Sequence, residues 1–216
     1  MNSRGITALL SISLILFSCV FFAGNAAAGK KDNPRVLVKT NKGSFTIMLY
    51  PDKAPITVEN FLTYVDSGFY DQTLIHRVEK DFVIQGGGYS IDNKKKYTRD
   101  PIKNEADNGL KNLKYTLSMA RTRAVNSATS QFFINLKDNT ASLDHRSDNP
   151  NEFGYAVFGK VIDGKDVIKK IRYVETKKKG VMHVPVKPVI IKSMRRIDSK
   201  EKEGKKEEEG KKEEKK

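Results

Sequence analysis

Alternation opens the globular part of the chain. From Arg35 to Thr40, Val36 and Val38 alternate with polar neighbours, the period of a half-buried strand. Asn41-Lys42-Gly43 is a turn sequence, and Ser44 to Tyr50 predicts a second strand, so the two form a hairpin. Then the period changes. Pro55 suits a first helical turn. Val58, Phe61, Leu62 and Val65 follow at i, i+3, i+4 and i+7, and Gly68 closes the run. That predicts a helix of about 13 residues with one apolar face. Short apolar segments come next, separated by glycine and polar turns: Leu74 to Val78, Phe82 to Gln85, Tyr115 to Ala120, Phe132 to Leu136 and Tyr155 to Val161. Asp166 to Val174 predicts a second helix, with Val167, Ile168, Ile171 and Val174 on one face, and Val186 to Arg196 a last strand. About eight strands with hairpin-like connections and two helices predict a mainly β domain, a closed antiparallel barrel or a sandwich. Strand–helix units do not alternate, which argues against a parallel nucleotide-binding sheet.

Both ends of the chain read differently. Met1 to Arg4 carries one positive charge, Ile6 to Phe22 is almost unbroken apolar sequence, and Ala26-Ala27-Ala28 supplies small residues for cleavage after Ala28. This is the layout of a secretory signal peptide over 1–28. It implies a periplasmic or secreted protein with no stable membrane insertion after cleavage. A retained anchor is one alternative, since a run of about 17 residues reaches the short limit for a span. Lipoprotein processing at Cys19 is another, although Phe17 fits a lipobox poorly. At the other end, Glu203 to Glu208 repeats as Glu209 to Glu214, and 199–216 holds eight lysines, seven glutamates and no apolar side chain. Such a segment cannot bury enough surface to offset about 1–2 kcal/mol of ordering entropy per residue, so a solvated tail is expected. The remainder, 29–198, is expected to be one domain.

Charge and composition narrow the chemistry. The net charge is +14, and nearly all of it lies in the domain rather than in the two ends. Lys94-Lys95-Lys96 and Lys177-Lys178-Lys179 concentrate part of it. A solvated basic face is the expected reading, with no specific nucleic-acid partner. The single cysteine, Cys19, excludes a disulfide framework and a cysteine-based zinc site. His76, His145 and His183 stand far apart, so neither a metal nor another cofactor is expected. Gly86-Gly87-Gly88 is followed by no Gly-Lys-Ser/Thr, and reads as a tight turn rather than a phosphate loop. Asp144-His145 reads as a surface pair. No nucleophile elbow is present.

Two stretches stand out: Phe69 to Gly87, and Ser118 to Asn135. Each sets multidentate polar side chains among aromatic and aliphatic ones. The matching residues are Phe69-Tyr70, His76-Arg77 through Phe82, Gln85-Gly86-Gly87, Ser118-Met119-Ala120, Ser130-Gln131-Phe132-Phe133 and Val157 to Val161. In that order the chain resembles the cyclophilin family of peptidyl-prolyl cis-trans isomerases. Ala120-Arg121-Thr122, Ser127 to Gln131 and Phe153 to Gly159 look most like periplasmic cyclophilins of Gram-negative bacteria. The resemblance implies an eight-stranded antiparallel barrel capped by two helices, catalysis without cofactor, and proline-containing polypeptides as partners. It implies Arg77 as the catalytic cation. Phe82, Val83, Phe133 and Leu143 would grip the proline ring. Gln85 would orient Arg77 and bind substrate backbone, the main chain at Ala120 and Arg121 would pair with substrate, and Gln131 would support the floor. Tyr155 would stand in the site where many eukaryotic members have His. Ser142 stands where many have Trp, whose indole donates to the immunosuppressant cyclosporin, so weak cyclosporin binding is expected. The loop Arg123 to Asn126 is one residue longer than its eukaryotic counterpart. A non-catalytic peptide-binding chaperone using the same groove is the alternative function.

Overall fold

A computed structural model describes residues 32–197. The signal-peptide, lipobox and tail readings fall on 1–31 and 198–216, outside the described residues. The alternation at the start becomes β1 (Arg35–Thr40), with Val36 and Val38 fully buried. It pairs antiparallel with β2 (Gly43–Leu49) from Arg35 opposite Met48 to Thr40 opposite Gly43. The proline-initiated helix is α1 (Pro55–Asp66). The Glu105 carboxylate serves its start, accepting from the main-chain N–H of Ile56 at 3.1 Å and of Thr57 at 2.8 Å. An anion there satisfies orphan donors and meets the positive end of the helix dipole.

The remaining strands are β3 (Thr73–Val78), β4 (Val83–Ser90), β5 (Thr116–Met119), β6 (Phe132–Asn135) and β7 (Val157–Asp163). A four-residue helix α2 (Thr140–Leu143) follows β6, and α3 (Lys165–Arg172) follows β7. A separate hairpin, β8 (Thr176–Lys179) with β9 (Met182–Pro185), precedes β10 (Val189–Ile197). Eight strands close antiparallel in the order β1-β10-β3-β4-β6-β5-β7-β2. Closure leaves the wall no free edge, which is how an all-antiparallel fold avoids unpaired backbone. The core fills with Val36, Phe45, Ile47, Leu117, Ile134 and Ile191 from the strands. α1 contributes Val58, Phe61 and Val65, and α3 contributes Val167, Ile168 and Ile171. Phe61 packs against Tyr70, Phe132 and Phe158, with ring centroids 5.1–5.7 Å apart. The expected closed barrel with two amphipathic helices is therefore the observed fold.

Two local expectations are corrected. Gly86-Gly87-Gly88 is not a turn but the middle of β4. Gly87 has φ +85°, and a Cβ there would lie 2.9 Å from the Ser130 carbonyl oxygen and from the Tyr70 ring. A Cβ on Gly88 would lie 2.6 Å from the Gln131 side chain. The glycines let β4 run close against the neighbouring chain. Second, Asp144 is buried rather than a surface residue. It accepts from the Asn112 main-chain N–H at 2.8 Å and from the Asn112 side chain at 2.9 Å. Lys177 to Lys179 are exposed, as a solvated basic face requires, and pair with Met182 to Val184 in a ribbon turned by Gly180 at φ +60°.

Candidate active site

Strand register builds the site. Arg77 on β3 lies opposite Gln85 on β4, and Gln85 lies opposite Phe133 on β6. Directly opposed residues share a face, so these three side chains form one row across three strands. Val83, two residues before Gln85, falls on the same face. Four other segments complete the enclosure: Phe82 before β4, Ala120 and Arg121 after β5, Leu143 at the end of α2, and Tyr155 before β7. These nine residues line one cavity of about 110 Å³. Val83, Phe133 and Leu143 are buried there, with Phe82, Ala120 and Tyr155 packed on them, in an apolar cluster separate from the barrel core.

The back of the pocket is held by hydrogen bonds and ring contacts. Leu143 accepts through its carbonyl from the Tyr155 N–H at 2.9 Å and from the Asn112 side chain at 3.1 Å. Asp144 and Asn112 anchor that turn from behind. Tyr155 meets Phe133 edge-on at 5.6 Å between centroids. Arg121 stacks over Tyr155 at 4.9 Å and donates to the carbonyls of Gly154, Thr122, Arg123 and Pro150. Its side chain is thus a strut. At the adjoining main chain, the Ala120 N–H is taken by the Gln131 carbonyl at 2.9 Å.

Arg77 is clamped. Its Nε donates to Glu79 at 3.3 Å and its Nη1 to Gln85 at 3.3 Å, while its guanidinium carbon lies 5.6 Å from the Phe82 ring centre. Gln85 in turn donates to Gln131 at 3.0 Å, so Gln131 stands behind the lining rather than in it. Nη2 has no protein partner among the described residues. Glu79 also accepts from the His183 main-chain N–H at 3.0 Å and lies 2.6 Å from the His183 ring nitrogen. Burial works against the Glu79 carboxylate, but His183 and Arg77 outweigh it and hold its pKa below the usual range. Sequence reasoning missed Glu79, His183, Asn112 and Asp144 as parts of this region. Glu79 had a signal, since it stands two residues beyond Arg77 at the end of a strand. His183 had none, because its strand is short and pairs with the three lysines of β8, which carry no apolar alternation.

The groups that converge here can hold a small apolar ring, pair with an extended main chain beside it, and present a fixed cation at its rim. A barrel wall carrying such a pocket is suited to binding an extended peptide. Residues 35–196 match the family described as cyclophilin type peptidyl-prolyl cis-trans isomerase/CLD, and the chain belongs to that family. It is 48% identical over 195 residues to peptidyl-prolyl cis-trans isomerase A of Dickeya dadantii, covering 89% of this chain and 97% of that protein. It is 54% identical over 159 residues to the isomerase cyp18 of Streptomyces antibioticus, covering 73% and 95%. Among solved structures, a cyclophilin-type isomerase of Cryptosporidium parvum superposes with a TM-score of 0.63 at 28% identity, covering 77% of this chain and 99% of that one. The same Cryptosporidium protein is also solved in the presence of the dipeptide Ala-Pro, with a TM-score of 0.62.

Proposed function

We propose that this protein is a peptidyl-prolyl cis-trans isomerase that turns X-Pro amides in polypeptides folding after export, with Arg77 as its catalytic residue. The amide rotates over a barrier of about 18–20 kcal/mol and takes tens of seconds unassisted. Reaching milliseconds needs about 10⁴-fold, or roughly 5–6 kcal/mol. No bond breaks, so neither nucleophile nor general base is required. The need is to favour the twisted amide, whose proline nitrogen becomes pyramidal and regains a lone pair. A preorganised cationic donor beside that nitrogen does this.

One observation carries the reading: Arg77 is held at Nε and Nη1 at the lip of a pocket lined by Phe82, Val83, Phe133 and Leu143. The clamp removes the reorganisation that a free arginine would undergo. The proline ring enters the apolar pocket, the Ala120 carbonyl and Arg121 N–H pair with the flanking main chain, and the guanidinium donates to the rotating nitrogen. A charge-assisted hydrogen bond of about 1.5–3 kcal/mol supplies roughly a quarter to three-fifths of the requirement. Desolvation and ring fixation supply the rest.

The test is proline isomerisation by the mature domain. Arg77→Ala is expected to lower kcat/KM roughly 10- to 150-fold with unchanged circular dichroism. Arg77→Lys stays poor, since a point charge does not reproduce a planar fork. Wild-type turnover by a folded Arg77→Ala variant would remove Arg77 from the mechanism. Peptide binding without turnover by the unmodified protein would make it a non-catalytic chaperone. The export reading rests on the 1–28 segment, and predicts Gly29 as the first residue of the periplasmic protein by mass spectrometry. A lipid on Cys19 or an intact N-terminus would overturn it.

A further inference from the structure

Phe82 is shared by two hollows. One is the pocket described above. The other is a cleft of about 440 Å³ between Glu79–Phe82 and the β8–β9 hairpin, where Thr176 and His183 line the opposite wall. The hairpin is not part of the barrel wall. The Glu79–His183 contacts tie it to the end of β3 and so shape the cleft.

The charges of the cleft are unequal in one respect. Both of its carboxylates are already matched: Glu79 by Arg77 and His183, and Asp81 by Arg172 at 2.6 Å. Lys80 borders the cleft, is exposed, and pairs with no carboxylate among the described residues. On the hairpin, Lys178 stands opposite His183 in the register and two residues beyond Thr176. It therefore shares the face that Thr176 and His183 turn to the cleft. Lys178 also lacks an acidic partner among the described residues. The unneutralised charge on both walls is positive.

We propose that this cleft extends the peptide site and selects a carboxylate side chain within two residues of the proline. The proposal rests on reading the neighbouring pocket as the proline site. An extended chain advances about 3.3 Å per residue, so a peptide with its proline against Phe82 brings its next one or two side chains into the cleft. Lys80 and Lys178 flank that path. Exposed ion pairs are individually weak, so two together predict a preference of about three- to tenfold.

The experiment uses a peptide with Ala at the two positions on each side of proline, and variants carrying Glu, Gln or Lys at each position in turn. Turnover is followed by NMR exchange, and affinity for the same peptides by fluorescence anisotropy. At one position, kcat/KM and affinity are expected to rank Glu above Gln above Lys, with the Glu-to-Lys ratio shrinking as salt rises. Lys80→Gln combined with Lys178→Gln brings that ratio close to one. Lys94→Gln combined with Lys95→Gln, beyond the far end of β4, leaves it intact. Equal values for Glu and Lys at all four positions would overturn the proposal, and so would an equal loss of preference in the Lys94/Lys95 control. Failure of the Ala peptide to turn over would count against the isomerase reading instead, and the affinities would still decide the cleft.

Discussion

Acid should weaken this fold through His76, the residue before Arg77 on β3. The imidazole is largely buried on β3, packs edge-on against Tyr89 at 4.8 Å between centroids, and its Nδ1 has no hydrogen-bond partner. Burial lowers its pKa to about 4. The Leu74 main chain works against that change, and the Arg77 charge adds to it. In the unfolded chain the imidazole titrates near 6.5. Between those two values the unfolded state takes up a proton that the native state refuses. Stability is therefore intact above about pH 6.5 and falls as the pH drops toward 4. At 1.36 kcal/mol per pH unit the loss approaches about 3 kcal/mol, a large part of an ordinary domain's 5–15 kcal/mol. Below about pH 4.5 two carboxylates add their own losses. Asp71 is held low by Arg195, and Glu79 by His183 and Arg77. The assay is urea unfolding of residues 29–198 at half-unit steps from pH 7.5 to 4.5, beside His76→Phe. The substitution keeps a ring against Tyr89 and removes the titration. Every other titrating group cancels in the difference between the curves. Wild-type stability should fall by about 2–3 kcal/mol more than that of the variant over this range. Parallel curves would refute the buried neutral imidazole.

Gly88→Ala should push the Gln131 side chain off Gln85, because the new Cβ would sit 2.6 Å from it. Losing that hydrogen bond loosens the hold on Arg77 and should cut kcat/KM about two- to tenfold, non-additively with Gln131→Ala. Additive losses would mean that the two residues act separately. Ser142 adjoins Leu143 on α2, with its hydroxyl donating to the Asn139 carbonyl at 3.2 Å. Cyclosporin should inhibit the unmodified protein weakly and Ser142→Trp more strongly, since an indole adds apolar area and a donor. A nanomolar inhibition constant for the unmodified protein, or no gain in the variant, would contradict this.

Elements with their own apolar period were legible in the sequence. Val36 and Val38 marked β1, and the spacing from Val58 to Val65 marked α1. β4 was read only as far as Gln85, because three glycines erase any period. Their reason is the approach of Ser130 and Gln131, which no local pattern records. β8 was not legible, since three lysines in succession carry no alternation, and β9, four residues long, had no readable partner without it. The pocket divides along the same line. Seven of its nine lining residues fall in two stretches, Phe69 to Gly87 and Ser118 to Asn135, and only the family resemblance drew in Leu143 and Tyr155. Their assembly depends on register, which sets Arg77, Gln85 and Phe133 in one row. The Glu79–His183 contact joins residues 104 positions apart, through a hairpin the sequence did not announce.

The seam of the barrel bears on how the protein itself is made. β10 sits between β1 and β3, with Arg35 opposite Ile197. The first strand to be synthesised thus waits for the last. Until residue 197 is free, β1 and β3 each expose a row of unpaired amides and carbonyls, the edge on which chains aggregate. Contacts spanning the whole domain place it among slow folders, on the scale of milliseconds to seconds. Joining the two ends by circular permutation would make the β10–β1 contact local. Whichever hairpin was opened to create the new ends would then become the distant one, since a closed ring of strands carries such a seam wherever the chain begins.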